Sequence, residues 1–265
     1  MASIPEPVAQ QPAQLPDADN AALPGHLLRA LEWRTGAEYL AARLAMRRMA
    51  DWPHGDGHPV LVLPGFLAGP QSTDLLRNVL RNLDYRVYDW GLGYNMGYRP
   101  SMKEALPARL HHIRKRTGGR RVSLIGWSAG GIYARELARA LPDDVRSVIT
   151  LGSPFRGNHQ ASTAWRVWRL VNRGADATES LSESALARRA QPLSVPTTCI
   201  YSKSDGIVAW QCCMSLPAPE TENVEVRSSH LGYGHNLETL SVIADRLAQP
   251  EGEWRPFGAA RCQGG

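Results

Sequence analysis

The sequence predicts an α/β fold: a mainly parallel sheet with helices on both faces and an inserted helical cap. Three observations carry this. From residue 59 onward six short β-rich runs recur, most of them separated or followed by helical patterns; strands alternating with crossover helices build a parallel sheet covered on both faces. The first run, Val60–Leu63, reads VLVL without a polar residue, as a strand buried on both faces does. Between Leu151 and Pro196 lie 44 residues, far more than a crossover needs.

Residues 1–20 are rich in Pro, Gln, Ala and Asp, with little to bury, and read as a disordered tail. Residues 21–52 read as an N-terminal helical extension. Leu27, Leu28 and Leu31 share one side of a first piece, Leu40 and Leu44 lie four apart in a second, and Thr35-Gly36 marks a break between them. Arg29, Arg34, Arg43, Arg47 and Arg48 are interleaved with these leucines. Such a helix more often packs on its own domain; peripheral membrane contact through it is the alternative left open.

The main domain, residues 53–250, has strands expected at Val60–Leu63, Arg86–Trp90, Val122–Gly126, Val145–Leu151, Thr197–Tyr201 and Asn223–Arg227. Helices are expected at Ser72–Leu83, Ser101–Arg116, Gly130–Leu141 and Asn236–Ala248. The long connection, about 155–195, carries an apolar stripe (Ala164, Trp165, Val167, Trp168, Val171) flanked by Arg166, Arg169 and Arg173. It reads as the helical cap, with a helix packed on the sheet as the alternative. Residues 251–265 form a C-terminal tail.

Composition excludes several classes. With 265 residues, 43% apolar and 21% charged, the chain is neither disordered throughout nor collagen-like. No apolar run approaches the ~20 residues that span a bilayer. The N-terminus has no basic start and no apolar core, unlike a secretory signal. Four Cys, two of them adjacent at 212 and 213, make no disulfide framework, so reduced cysteines in a cytoplasmic protein are expected. A net charge of +5 does not argue for nucleic acid. The basic stretch Arg109–Arg121 reads as the cationic end of a helix, and no nucleic-acid partner is expected.

In an open parallel sheet ligands bind beyond the carboxyl ends of the strands. After the third strand stands Gly126-Trp127-Ser128-Ala129-Gly130, a G-x-S-x-G turn between a strand and a helix. Glycines are needed there because the chain reverses sharply and lifts the Ser128 hydroxyl above the sheet at a helix N-terminus. A serine hydroxyl needs a base, and the base an orienting acid. Asp205 follows the strand Thr197–Tyr201 and is the candidate acid; an ordinary Asp-Gly turn is its other reading. After the last strand two histidines compete. His230 is preferred as base, and His235, beside the candidate N-cap Asn236, reads as a capping-region residue. His26, His54, His58, His111, His112 and His159 read as surface or packing residues. An oxyanion needs preorganised N–H donors; the candidates are the backbone amides of Ala129 and of Phe66 in the loop Pro64–Gly69. Trp127, Trp165 and Trp168 are the expected substrate contacts. No metal site and no cofactor are expected.

These elements resemble the α/β-hydrolase superfamily, and within it bacterial lipase- and esterase-like serine hydrolases. The resemblance rests on the strand with Pro64-Gly65-Phe66, the turn Gly126–Gly130, Gly152-Ser153-Pro154 after the next strand, Asp205, and the Ser229-His230 loop. It covers roughly residues 58–250. Pro64-Gly65 stands where many lipases carry His-Gly, which leaves the backbone donor intact. No antiparallel hairpin precedes Val60, so the smaller sheet of about six strands is implied. The resemblance implies cleavage of carboxylic esters, hydrophobic acyl esters or lipids, through an acyl-enzyme on a Ser128–His230–Asp205 triad. An acyltransferase with the same triad, or a binding protein that keeps the fold without chemistry, are the alternatives.

Overall fold

The computed structural model describes residues 8–9, 15–157, 162 and 183–258. Its sheet runs β1 (Val8–Ala9), β2 (Pro59–Leu63), β3 (Arg86–Asp89), β4 (Val122–Trp127), β5 (Val145–Leu151), β6 (Thr197–Tyr201) and β7 (Thr221–Glu225). The spatial order is β1-β7-β6-β5-β4-β2-β3. Strands β2 to β7 are parallel, as expected, and β1 adds two antiparallel residues to the edge at β7.

Helices α1 (His26–Ala30), α2 (Thr35–Ala45), α3 (Asp74–Asn82), α4 (Met102–Arg116), α5 (Ala129–Ala140), α6 (Glu183–Ala190) and α7 (Leu237–Leu247) accompany the sheet among the described residues. Alternation along β2 shows how both faces are covered. Val60 and Val62 pack with Leu76 and Leu80 of α3 and Leu240 and Ile243 of α7. Leu61 and Leu63 pack on the opposite side with Leu110 and Ile113 of α4 and Ala134 of α5. Side chains buried this fully contribute about 1.5–3 kcal/mol each, so the strand's position, and with it the loop at its carboxyl end, is firmly set.

Three sequence expectations need correction. The tail expected over 1–20 is in part folded. Besides β1, Ala18 is buried in a cluster with Ala21, Ala209 and Cys212, and Arg156 Nη2 donates to the Pro16 carbonyl at 2.9 Å. An open sheet edge accepts backbone pairing whatever the composition of the added strand. Strand β7 begins two residues earlier than the apolar pattern suggests, because its polar start is paired: the Glu222 carboxylate accepts from Thr198 Oγ1 and from Arg246 Nη1, at 2.8 and 2.9 Å. Finally, the N-terminal helices do not turn their leucines inward. Leu27 is 73% and Leu44 76% exposed, whereas Glu32 is 8% exposed. The break falls at a 3-10 turn, Leu31–Arg34, and Thr35-Gly36 open α2.

The cap tryptophans Trp165 and Trp168 lie outside the described residues. The basic stretch ending α4 is paired: Arg109 donates to the Asp89 carbonyl, Arg114 to Asp144, Arg120 to Asp56 and Arg121 to Glu251. Cys199, Cys212 and Cys213 are buried thiols. No helix among the described residues is long and apolar enough to cross a membrane.

Candidate active site

Ser128 sits between β4 and α5 at φ +53° and ψ −120°. A side chain at positive φ costs on the order of 1 kcal/mol or more, and such strain persists only where surrounding structure imposes it. Here the imposition is visible. The Ser128 amide donates to the Leu151 carbonyl at 2.8 Å, and the Ser128 carbonyl accepts from Gly131 N at 3.0 Å. A Cβ at Gly126 would lie on the backbone of Gly130 and Gly131, and one at Gly130 on the carbonyls of Leu63 and Pro64. The two motif glycines therefore let α5 start directly against β4 and the end of β2. Ser128 is half-buried, so its hydroxyl is reachable.

The loop after β2 closes on this turn. Gly65 lies so near that a Cβ there would stand 3.4 Å from Ser128 Cβ and 3.3 Å from the Trp127 ring. Leu67 takes φ +60°, and its amide donates to the Asn95 carbonyl at 2.7 Å. Asn95, wholly buried, is a residue that sequence reasoning missed. Its Nδ2 donates to the Pro64 carbonyl at 2.9 Å, its amide to the Ala68 carbonyl at 2.9 Å, and its Oδ1 accepts from Gly97 N at 3.1 Å. The available signal was only its place in a glycine-rich loop beyond β3. With the loop so braced, the amides of Phe66 and Ala129 have no protein acceptor among the described residues. They are free to meet developing negative charge.

Asp205 and His230 form a buried pair, with His230 Nδ1 2.7 Å from Asp205 Oδ2. Asp205 Oδ1 accepts from the amides of Ile207 and Val208, both at 2.8 Å, so the carboxylate cannot rotate away. Burial works to lower the His230 pKa. The charge and hydrogen bond of Asp205, together with the charge of Glu32, outweigh it, and the net direction is up. Trp127 Nε1 donates to the His230 carbonyl at 3.0 Å, which ties the histidine loop to the turn carrying Ser128. Tyr233 stands edge-on to the imidazole at 6.0 Å between centroids.

Sequence reasoning also missed two carboxylates, Glu32 on the 3-10 turn Leu31–Arg34 and Glu38 on α2, that are directed at these loops. Glu32 accepts from the amides of Gly206, His230 and Leu231. Glu38 accepts from Ser229 N at 3.0 Å and Ser229 Oγ at 2.5 Å, and Arg34 Nη2 donates to the Ser204 carbonyl at 2.7 Å. His235 meets Thr35 instead, with Nε2 2.9 Å from its Oγ1, while Asn236 caps α7 by accepting from Thr239 N at 3.1 Å.

A second Asp–His–Ser array lies at the amino ends of the strands. His58 Nδ1 is 2.6 Å from Asp56 Oδ1, and His58 Nε2 is 3.0 Å from Ser123 Oγ. His58 and Ser123 are each 1% exposed, so a substrate carbonyl cannot approach Ser123 Oγ. A cavity lined by Arg121, Arg146, Glu220 and Trp254 opens at the same end, opposite the carboxyl-end loops. Among the described residues no group of three His, Cys, Asp or Glu side chains is placed to hold a metal ion.

A family model described as the alpha/beta hydrolase fold matches residues 58–177. A triacylglycerol lipase of Pseudarthrobacter phenanthrenivorans is 32% identical over 228 residues, covering 73% of this chain and 69% of that protein. A triacylglycerol lipase of Burkholderia plantarii is also 32% identical over 228 residues, and there the match covers 62% of the relative, less than two thirds of its length. The crystal structure of a mature Bacillus licheniformis lipase is similar in fold, with a TM-score of 0.55 at 18% identity over 74% of this chain and 94% of that one.

Proposed function

The chain belongs to the α/β-hydrolase family and is a lipase- and esterase-like hydrolase, and from that premise we propose that it cleaves hydrophobic carboxylic esters through an acyl-enzyme on Ser128. The carrying observation is the strained, reachable Ser128 beside two unengaged amides, with the buried Asp205–His230 pair on the adjoining loops. His230 Nε2 takes the hydroxyl proton as Ser128 Oγ attacks the ester carbonyl. The amides of Phe66 and Ala129 receive the oxyanion. His230 then protonates the departing alcohol, and water repeats the sequence on the acyl-enzyme, releasing the acid and restoring Ser128. Asp205 keeps Nδ1 protonated throughout, so Nε2 stays the acceptor.

The substrate class rests on the rim. Leu67, Leu92, Tyr94, Met96 and Leu231 stand exposed on loops at the carboxyl ends of the strands, suited to an acyl chain, and the two relatives are triacylglycerol lipases. Trp165 and Trp168 are the further proposed acyl contacts. Trp127 serves the site through its bond to the histidine loop. Peripheral contact with a lipid surface fits the N-terminal helices, whose Leu27, Trp33, Leu40 and Leu44 face outward among Arg43, Arg47 and Arg48.

A fluorophosphonate probe tests the assignment, with nitrophenyl esters of increasing acyl length beside it. Wild type takes the label and turns over the longer esters, releasing free acid, and Ser128→Ala does neither. A folded wild type that takes no label and cleaves no ester, with or without lipid vesicles, sinks the proposal. Acyl transfer to an added alcohol in preference to water would replace hydrolysis with the acyltransferase reading.

A further inference from the structure

We propose that Glu32, on the 3-10 turn between α1 and α2, is a positioning residue of this site: its carboxylate locks the acid loop and the histidine loop together and keeps a negative charge behind the imidazole. The inference rests on the reading of His230 as the base. Glu32 Oε1 accepts from Gly206 N at 2.8 Å and from His230 N at 2.9 Å, and Oε2 from Leu231 N at 3.0 Å. One carboxylate therefore satisfies amides on both loops, each adjacent to or within a proposed catalytic residue. An ionised carboxylate is acceptor-only, with about four lone-pair sites, so it suits three converging N–H groups as no apolar or amide side chain does.

The orientation of the N-terminal helices points the same way independently. A helix that merely covers a domain turns its apolar stripe inward. Here Leu27 and Leu31 face outward and Glu32 inward. The approach is close: a Cβ on Gly206 would lie on the Leu28 carbonyl, so the acid loop carries glycine where α1 crosses it. Arg34 on Ser204 and Glu38 on Ser229 repeat the pattern one residue outside the pair on each loop.

The groups that face His230 can be named from each element. Asp205 comes from the acid loop, Glu32 from the N-terminal turn, Tyr233 from its own loop and Trp127 from β4; Glu38 and Arg34 act one residue further out. Proton transfer from Ser128 turns the imidazole into a cation enclosed by protein, and opposite charge nearby favours that form. Two carboxylates share that task.

The test compares wild type, Glu32→Gln and Glu32→Asp in the full chain, following ester turnover against pH and fluorophosphonate labelling. Glu32→Gln removes the charge and sets its amide against Leu231 N. Its plateau kcat should fall roughly 10-fold with KM little changed, and the acid limb of kcat/KM should move to lower pH by roughly half a unit. Glu32→Asp keeps the charge on an arm one methylene shorter, so kcat should fall while the acid limb stays. A folded Glu32→Gln with wild-type kcat and an unmoved acid limb overturns the proposal. Should Glu32→Gln not fold, Glu32→Asp with wild-type kcat overturns it equally. Loss of the label from wild type itself would instead strike the reading of Ser128 and His230.

Discussion

Two Asp–His pairs occupy opposite ends of one sheet, Asp56–His58 joined to Ser123 within β4 and Asp205–His230 proposed to serve Ser128 on the turn that follows the same strand. Judged by hydrogen bonds the lower set is complete: Asp56 to His58 at 2.6 Å, His58 to Ser123 at 3.0 Å, and Ser147 Oγ donating to Ser123 Oγ at 2.9 Å. Ser123 nevertheless lies within strand β4, paired with Val60 of β2 and, beside a register shift, with Ser147 of β5, and with His58 it is sealed from solvent. Ser128 is the opposite case: strained at φ +53°, reachable, and beside two amides without acceptors. The difference teaches that residue types at bonding distance define a network, whereas access, an imposed backbone conformation and spare N–H donors define a reactive site. Electrostatics agree. Burial first, then Arg146, pushes the His58 pKa down to about 4, against the pull of Asp56, while that of His230 is raised. The surroundings of the lower imidazole favour its neutral form and those of the upper one its protonated form.

Removing corresponding members of the two sets gives the largest expected contrast. Ser128→Ala or His230→Ala should lower kcat/KM for a nitrophenyl ester by roughly 10⁴-fold or more. Ser123→Ala should leave it within about 2-fold and instead lower unfolding stability in urea by about 1–3 kcal/mol, the cost of leaving the buried His58 ring nitrogen without its partner. If Ser123→Ala abolished turnover and Ser128→Ala did not, the nucleophile would have to move to the lower set.

A smaller effect sharpens what the upper end owns and the lower end lacks. Asn95→Ala leaves the Pro64 carbonyl without its donor and loosens the loop that presents Phe66 N–H. A misplaced oxyanion donor costs roughly 10–100-fold in kcat with little change in KM. Steady-state kinetics on the folded variant check it, and an unchanged kcat would remove Asn95 from the account.

Asn95 also shows where sequence reasoning stops. The six parallel strands, the strained turn at Ser128 and the loops that carry the Asp205–His230 pair are written in local patterns: apolar runs, glycine spacing, the residue types that follow strands. The expected strands Val145–Leu151 and Thr197–Tyr201 coincide with β5 and β6. What local pattern does not carry is a polar side chain whose partners lie far along the chain. Glu32 meets His230 across 198 residues and Asn95 meets Pro64 across 31. Neither stands in a motif, and helical periodicity argued against Glu32 by assigning the buried face to the leucines. Strand β7 was displaced for the same reason, since Glu222 is buried only because Arg246 and Thr198 meet it.

The smallest expected effect separates the two histidines by the sign of their pH dependence. His58 has an ordinary value of 6.5 and a native one of about 4. As pH falls from 6.5 toward 4 the unfolded chain binds a proton that the native state refuses, so the stability His58 contributes above 6.5 is lost. His230 is raised, so its contribution is present below its unfolded value and is lost as pH rises through the native one. In urea unfolding, the stability difference between wild type and His58→Gln should therefore shift by about 2 kcal/mol in favour of the variant from pH 7 to pH 5. The ester-cleaving activity of His58→Gln at pH 7 should remain near that of wild type, because no reacting atom touches the lower set. A difference that stays constant between the two pH values would mean that His58 titrates alike in the native and unfolded chains, and one that shifts in favour of wild type would mean that His58 is held protonated, the lower array then being an ion pair with Asp56 rather than a neutral relay from Ser147 through Ser123.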